Sequence, residues 1–218
     1  MTLVSMSKQN KHLQNIFPVP LWMGNFYAKN TNDEILDLVK FFKANIGKAA
    51  LVGKGWGSKK ASDDKDLKDK EGITSFRNCN LADVPEWLPI KRAFEGWSNK
   101  AIKDSWDVNL VIHNMWTTIY PEQSFIPEHT HAGYLLSGVY YAKAHEGCGD
   151  IVFHDPSWVL KSMLNTGDST FPINGTIEKR SPKTGDLIIF PSWLPHSTQP
   201  NETNEDRIIV SFNFVFGN

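Results

Sequence analysis

The chain has 218 residues, which suits one domain or one β-rich core with an added N-terminal part, and its 40% hydrophobic content excludes a disordered chain. A net charge of -1, from 23 basic and 24 acidic residues, lacks the basic excess of a nucleic-acid-coating protein, so nucleic acid is not indicated as a partner. Cys79 and Cys148 have no CxxC spacing, no run of 18 apolar residues occurs, and the first residues lack an apolar signal core, so a cytoplasmic protein with no disulfide framework and no membrane span is expected.

Residues 1–15 are polar and expected to fray. The apolar, twice proline-broken run from Ile16 to Phe26 suits an edge strand or an extended segment. Thr31 and Glu34 have capping-box spacing ahead of a helix whose Ile35, Leu38, Val39 and Phe42 share a face, with Gly47 as its stop. Residues 53–72 are rich in Gly, Lys and Asp. They lack the GxxxxGK[ST] spacing of a phosphate-binding loop, so they read as a surface loop, with a substrate lid as its functional version. A second helix is expected over 86–104, burying Ile90, Phe94, Trp97 and Ala101.

From Val108 onward the pattern changes. VNLVIHNMWTTIY, YLLSGVYYAKA, GDIVFHD, GDLIIFPSW and RIIVSFNFVF are strand-like runs separated by Gly-, Pro- and Asn-rich turns. Several strands at such spacing indicate a barrel or a two-sheet sandwich. The chain is therefore expected to divide into N-terminal helices with supporting strands (1–105) and a β core (106–218) within one domain.

Three of the seven histidines carry the chemistry. His129 and His131 form an H-x-H pair, and residues two apart in an extended segment point to one side. His196 follows the strand GDLIIFPSW and supplies a third ligand from a distant part of the same core. Three ligands on one face of a metal leave positions open for substrate and dioxygen. Non-haem Fe(II) oxygenases use two imidazoles and a carboxylate in this way, and His131 stands where the carboxylate is expected. Arg207 comes eleven residues after His196 and shares a strand face with Ile209, Ser211 and Asn213. Its guanidinium suits a dicarboxylic acid, with the Ser211 hydroxyl and the Tyr120 phenol within plausible reach of the same anion.

The motifs Y-x(8)-HTHAG, LSGVYY, GDIVFHDP, GDLIIFPSWLPHSTQPN and DRIIVSFN, in that order between Trp116 and Phe216, resemble the 2-oxoglutarate/Fe(II) oxygenase superfamily, in particular its bacterial and phage branch with a prolyl-hydroxylase-like layout. The resemblance implies a mainly β fold with flanking helices, a double-stranded β-helix or jelly roll. It implies His129, His131 and His196 as metal ligands, and Arg207 as the anchor of the distal carboxylate of 2-oxoglutarate with Tyr120 and Ser211 assisting. The implied cofactors are Fe(II) and 2-oxoglutarate, and the implied partners are dioxygen and a primary substrate that the sequence does not identify. Most of the superfamily has Asp or Glu at the position of His131, which leaves Asp155 as an alternative third ligand.

Two other readings fit parts of the pattern. A cupin-like metal enzyme or zinc hydrolase also uses three histidines, but leaves Arg207 without a role; a non-catalytic jelly-roll binding module needs none of the chemistry. Asn114, Trp116 and Thr118 share a strand face that lines either pocket or core, and His113 on the other face reads as structural. His12 and His145 read as solvated, His154 is ambiguous, Cys148 is a small turn residue, and Asp150 has no catalytic role.

Overall fold

Most apolar residues of the second half lie in runs without strict alternation, the pattern of strands covered on both faces. The computed structural model, which describes residues 19–44, 73–76, 79–159 and 176–217, shows what covers them. The polar start, the Gly47 stop and the 53–72 loop with its lid role lie outside the described residues.

The elements run β1 (Trp22–Asn25), α1 (Lys29–Ala44), β2 (Ile73–Thr74), α2 (Leu88–Ile102), β3 (Leu110–Tyr120), β4 (Leu136–Lys143), β5 (Ile151–His154), β6 (Ile177–Arg180), β7 (Asp186–Pro191), β8 (His196–Thr198) and β9 (Arg207–Phe216). Six strands form one sheet in the order β1-β7-β4-β9-β3-β2, and three form a second in the order β6-β5-β8. All described pairings are antiparallel. This is the mainly β, double-stranded β-helix architecture with helices on one side.

Alternation assigns the two faces of the large sheet. Leu136, Tyr140, Leu187, Ile189, Val210, Phe212 and Phe214 pack with Ile35, Val39 and Phe42 of α1 and Ile90, Phe94 and Ile102 of α2. Val139, Tyr141, Ile188, Phe190 and Ile209 face the other way, against Ile151 and Phe153 of the small sheet. Phe94 links the helices to the sheet, with ring centroids 5.1 Å from Phe212 and 5.0 Å from Tyr140. Trp97 packs in the same cluster, as its helical spacing predicts.

Three local features depart from the sequence reading. Helix α1 begins at Lys29, so Thr31 lies inside its first turn instead of capping it. The short strands β2, β6 and β8 have too few residues to show a period. The β3–β9 register skips between Ile112 and Asn114, leaving His113 as an exposed extra residue. Such a bulge shifts alternation by one. Leu110 and Ile112 face the helices before it and Met115 and Ile119 after it, so Asn114, Trp116, Thr118 and Tyr120 turn to the inner face. Among the described residues no helix is long and apolar enough to cross a membrane, and both cysteines are free thiols.

Gly138 of β4 sits beneath Phe212, where an added Cβ would fall 2.2 Å from the ring. That ring is fixed against Phe94 and has no room to yield. Gly138→Ala is expected to destabilise the protein by about 1–3 kcal/mol. Gly96 in α2 has nothing within 4 Å of such a Cβ, and Gly96→Ala is expected to stabilise by about 0.5–1 kcal/mol. Urea denaturation of the two variants beside the parent protein measures both signs.

Candidate metal centre and anion site

His129 and His196 are joined by a reciprocal pair of backbone hydrogen bonds, each 3.0 Å, across neighbouring antiparallel segments. In such a pair the two side chains emerge side by side on one face, and the imidazole centroids lie 4.3 Å apart. Two residues on, the His131 N–H donates to the Ser192 carbonyl at 2.8 Å. This holds the third ring 5.2 Å from His129 and 5.0 Å from His196. One potential ligand atom from each of the three histidines lies within 4.8 Å of the others. Phe190 and Phe153 border His196, and Trp116 borders His131 at 5.5 Å.

The hydrogen bonds fix which nitrogen is available. His129 Nδ1 lies 2.9 Å from the Pro127 carbonyl and His196 Nδ1 2.9 Å from the Leu194 carbonyl. A carbonyl only accepts, so both rings carry the proton on Nδ1 and keep a lone pair on Nε2. His131 Nδ1 lies 2.6 Å from Asn213 Oδ1. Three imidazole nitrogens aimed at one point, each backed by an acceptor on the far side of its ring, form a donor set that fits a divalent transition metal. Burial keeps the rings neutral. Desolvation pulls His196 down to about 3, helped by the neighbouring His129, and pulls His129 and His131 below the ordinary 6.5.

Asp155 is not part of this group among the described residues. Its Oδ1 accepts from the Ser157 N–H at 2.8 Å, within the turn that follows β5.

Arg207 is 1% exposed at the start of β9. One terminal nitrogen donates to the carbonyls of Cys148 (2.6 Å) and Gly149 (2.9 Å), and the other to Thr198 Oγ1 (3.1 Å). Tyr120, its cross-strand partner, lays its ring 4.3 Å from the guanidinium carbon. The Nε–H of Arg207 is buried and has no partner. An orphaned charged donor at that depth is costly, and a carboxylate of an acidic ligand would satisfy it. Burial raises the Tyr120 phenol above its usual value, against the lowering effect of Arg207, so it stays a neutral hydroxyl. Ser211 is buried on the same face of β9 as Arg207 and Asn213, opposite Trp116 on β3 and Val139 on β4. Asn201 stitches the approach to Arg207, donating to the Tyr120 carbonyl at 3.0 Å.

The structure thus gathers His129, His131 and His196 at one point, and brings Tyr120 onto Arg207. Asn114, Trp116, Thr118 and Tyr120 line the inner face and not the helix-packed core; Asn114 Oδ1 is buried there without a partner. Sequence reasoning missed the Asn213–Ser137–Ser192 cluster beneath His131 and the carbonyls of Cys148 and Gly149 that grip Arg207. The alternation that put Asn213 beside Ser211 and Arg207 was the one available signal for the first; nothing local marks the second. His145 is half-buried and bonded to Thr203 Oγ1, which corrects its solvated reading. His154 lies between Glu128 (3.2 Å) and Ser197 (2.9 Å).

A mainly β double-stranded β-helix with three converging imidazoles and a buried arginine defines the class. Residues 114–213, which contain every one of these site residues, match a family model described as "Putative 2OG-Fe(II) oxygenase". The matched stretch, just under half of the chain, is similar to the 2OG-Fe(II) oxygenases. Solved structures agree in fold. The non-heme alpha ketoglutarate dependent epimerase SnoN from nogalamycin biosynthesis superposes with a TM-score of 0.60 at 13% identity, covering 91% of this chain and 78% of that one. HygX from Streptomyces hygroscopicus, with nickel and 2-oxoglutarate bound, gives 0.58 at 11% identity over 90% and 82%. A Pseudomonas putida prolyl-4-hydroxylase gives 0.52 at 12% identity over 92% and 94%. No curated protein matches by sequence.

Metal uptake should be nearly independent of pH where ordinary histidines would already resist it. Three imidazoles of pKa 6.5 would lose about sixfold in affinity between pH 7.5 and pH 6.5. With His196 pulled to about 3 and the other two pushed below the ordinary value, the Co(II) dissociation constant should change less than about threefold over that range. Titrations followed by Co(II) absorption at the two pH values measure the difference.

Proposed function

We propose that the protein is an Fe(II)- and 2-oxoglutarate-dependent dioxygenase that hydroxylates a C–H bond of a primary substrate, with His129, His131 and His196 holding the metal and Arg207 anchoring the cosubstrate. The observation that carries this reading is the pairing of two features inside one sheet sandwich: three neutral imidazoles at one point and a buried arginine with an unspent Nε–H. A zinc hydrolase would use the first and leave the second unexplained; a binding module would need neither.

When bound, Fe(II) and 2-oxoglutarate couple oxidative decarboxylation of the cosubstrate by dioxygen to oxidation of the primary substrate. The chain supplies position and dryness. Arg207 arrives pre-oriented, because two carbonyls and a hydroxyl hold its terminal nitrogens and Tyr120 covers its face. Its Nε–H then donates to the distal carboxylate, with the Ser211 and Tyr120 hydroxyls as assisting donors. Phe76 stands edge-on to Trp116 at 4.8 Å, and Trp116 borders His131. These rings form an apolar wall that excludes water beside the metal centre and receives an apolar part of the primary substrate.

Anaerobic addition of Fe(II) and then 2-oxoglutarate to the metal-free protein should produce a weak visible charge-transfer band that neither component gives alone. His129→Ala and His196→Ala should abolish it. Arg207→Ala should raise the 2-oxoglutarate concentration needed by roughly 10- to 100-fold, the loss of one charge-assisted contact. Gly149→Ala should act in the same direction: Gly149 has φ +88°, and a Cβ there would lie 2.8 Å from the Arg207 guanidinium. Iron binding without any band would discard the cosubstrate assignment. Product analysis then decides hydroxylation, since the fold is shared with an epimerase.

A further inference from the structure

His129 and His196 owe their orientation to backbone carbonyls two residues before them. His131 does not. It lies outside the regular strands, and its Nδ1 faces a side chain, Asn213 Oδ1, at 2.6 Å. That same oxygen accepts from Ser137 Oγ at 2.7 Å, and Ser137 Oγ lies 2.8 Å from Ser192 Oγ. Ser137 and Ser192 are fully buried and Asn213 is 2% exposed. Ser137 and Asn213 are cross-strand partners in the middle of the large sheet, and Asn213 also pairs with Asn114. Three polar side chains buried together are costly unless each is satisfied. Here the two lone pairs of one amide oxygen meet two donors, the His131 Nδ1–H and the Ser137 O–H, while Ser192 donates to Ser137.

We propose that Asn213, backed by Ser137 and Ser192, is a positioning residue that keeps His131 protonated on Nδ1 and turns its Nε2 toward His129 and His196. The inference rests on the reading of His131 as the third ligand. An unsupported imidazole in this place would interconvert between two tautomers and present a lone pair to the metal only part of the time. Asn213 takes the role that backbone carbonyls play for the other two rings, so a histidine serves where the superfamily pattern has a carboxylate.

Two-bond 15N–1H spectra of the metal-free protein read the tautomer without any activity. The wild type should show His131 in the Nδ1–H form. Asn213→Ala should convert it to the Nε2–H form or a mixture while His129 and His196 keep theirs, and should weaken Co(II) binding by about 10- to 100-fold. Asn213→Asp keeps an acceptor in place, and should keep the Nδ1–H form and bind Co(II) within about threefold of wild type. If the alanine variant does not fold, the aspartate spectrum decides, since an Nε2–H ring there overturns the proposal. An Nε2–H ring in the wild type overturns it outright. His131→Ala separates the two ideas. If it binds Co(II) like wild type, the ligand reading fails and takes this inference with it. If it loses the metal while Asn213→Ala keeps wild-type affinity and tautomer, the ligand reading stands and the role of Asn213 is refuted.

Discussion

The two backbone hydrogen bonds between His129 and His196 carry the architecture of the site. They join the segment before β4 to the start of β8, two stretches that are remote in sequence, and set the side chains of both residues on one face. Everything else at the metal centre is positioned from that bridge. His131 follows two residues later, tied to Ser192, and the same pairing direction continues to Thr198, whose hydroxyl holds one end of Arg207. A single strand contact thus sets the spacing between the three histidines and Arg207.

That bridge is stable because of what lies beneath it. The inner face of the large sheet presents an apolar floor of Val139, Ile188, Phe190 and Ile209. Polar groups enter this floor at the Asn213–Ser137–Ser192 cluster under His131, at Arg207 with its carbonyl cradle, and at Asn114, Thr118 and Ser211. In the first two places the donors and acceptors are matched almost completely apart from the Arg207 Nε–H, and Asn114 Oδ1 is likewise buried without a partner. A buried charged donor left open is costly to the fold unless something else satisfies it. The same desolvation that makes an open donor costly keeps the three imidazoles neutral, so burial prepares both halves of the site.

The helices contribute indirectly. Phe94 and Trp97 of α2 fill the outer face of the large sheet against Tyr140 and Phe212, and Gly138 lets Phe212 lie flat on β4. This packing sets the plane from which Ser137, Ser211 and Asn213 project inward. The exposed bulge residue His113 has a comparable effect from the edge. By consuming one residue it turns Trp116 and Tyr120 toward the site and Met115 and Ile119 toward the helices.

Much of this was legible in the sequence. The strand runs, the H-x-H pair, and the fixed step from His196 to Arg207 are local or spacing features, and period-two alternation alone places Arg207, Ser211 and Asn213 on one face. The two helices were readable from their apolar spacing, although the start of α1 was not, because its first turn is set by the chain path from β1 and not by the Thr31 hydroxyl. What tertiary structure alone decided are the contacts between elements far apart in the chain. The carbonyls of Cys148 and Gly149 grip Arg207 across almost sixty residues of sequence, and any residue type offers a carbonyl, so no side-chain pattern announces them. The partner of His131 is 82 residues away, and only the pairing of β4 with β9 brings Ser137 and Asn213 under the ring. Residue identity determined which groups are able to bind a metal and an anion; strand pairing determined which nitrogen of each ring keeps a free lone pair and which N–H of the arginine stays open.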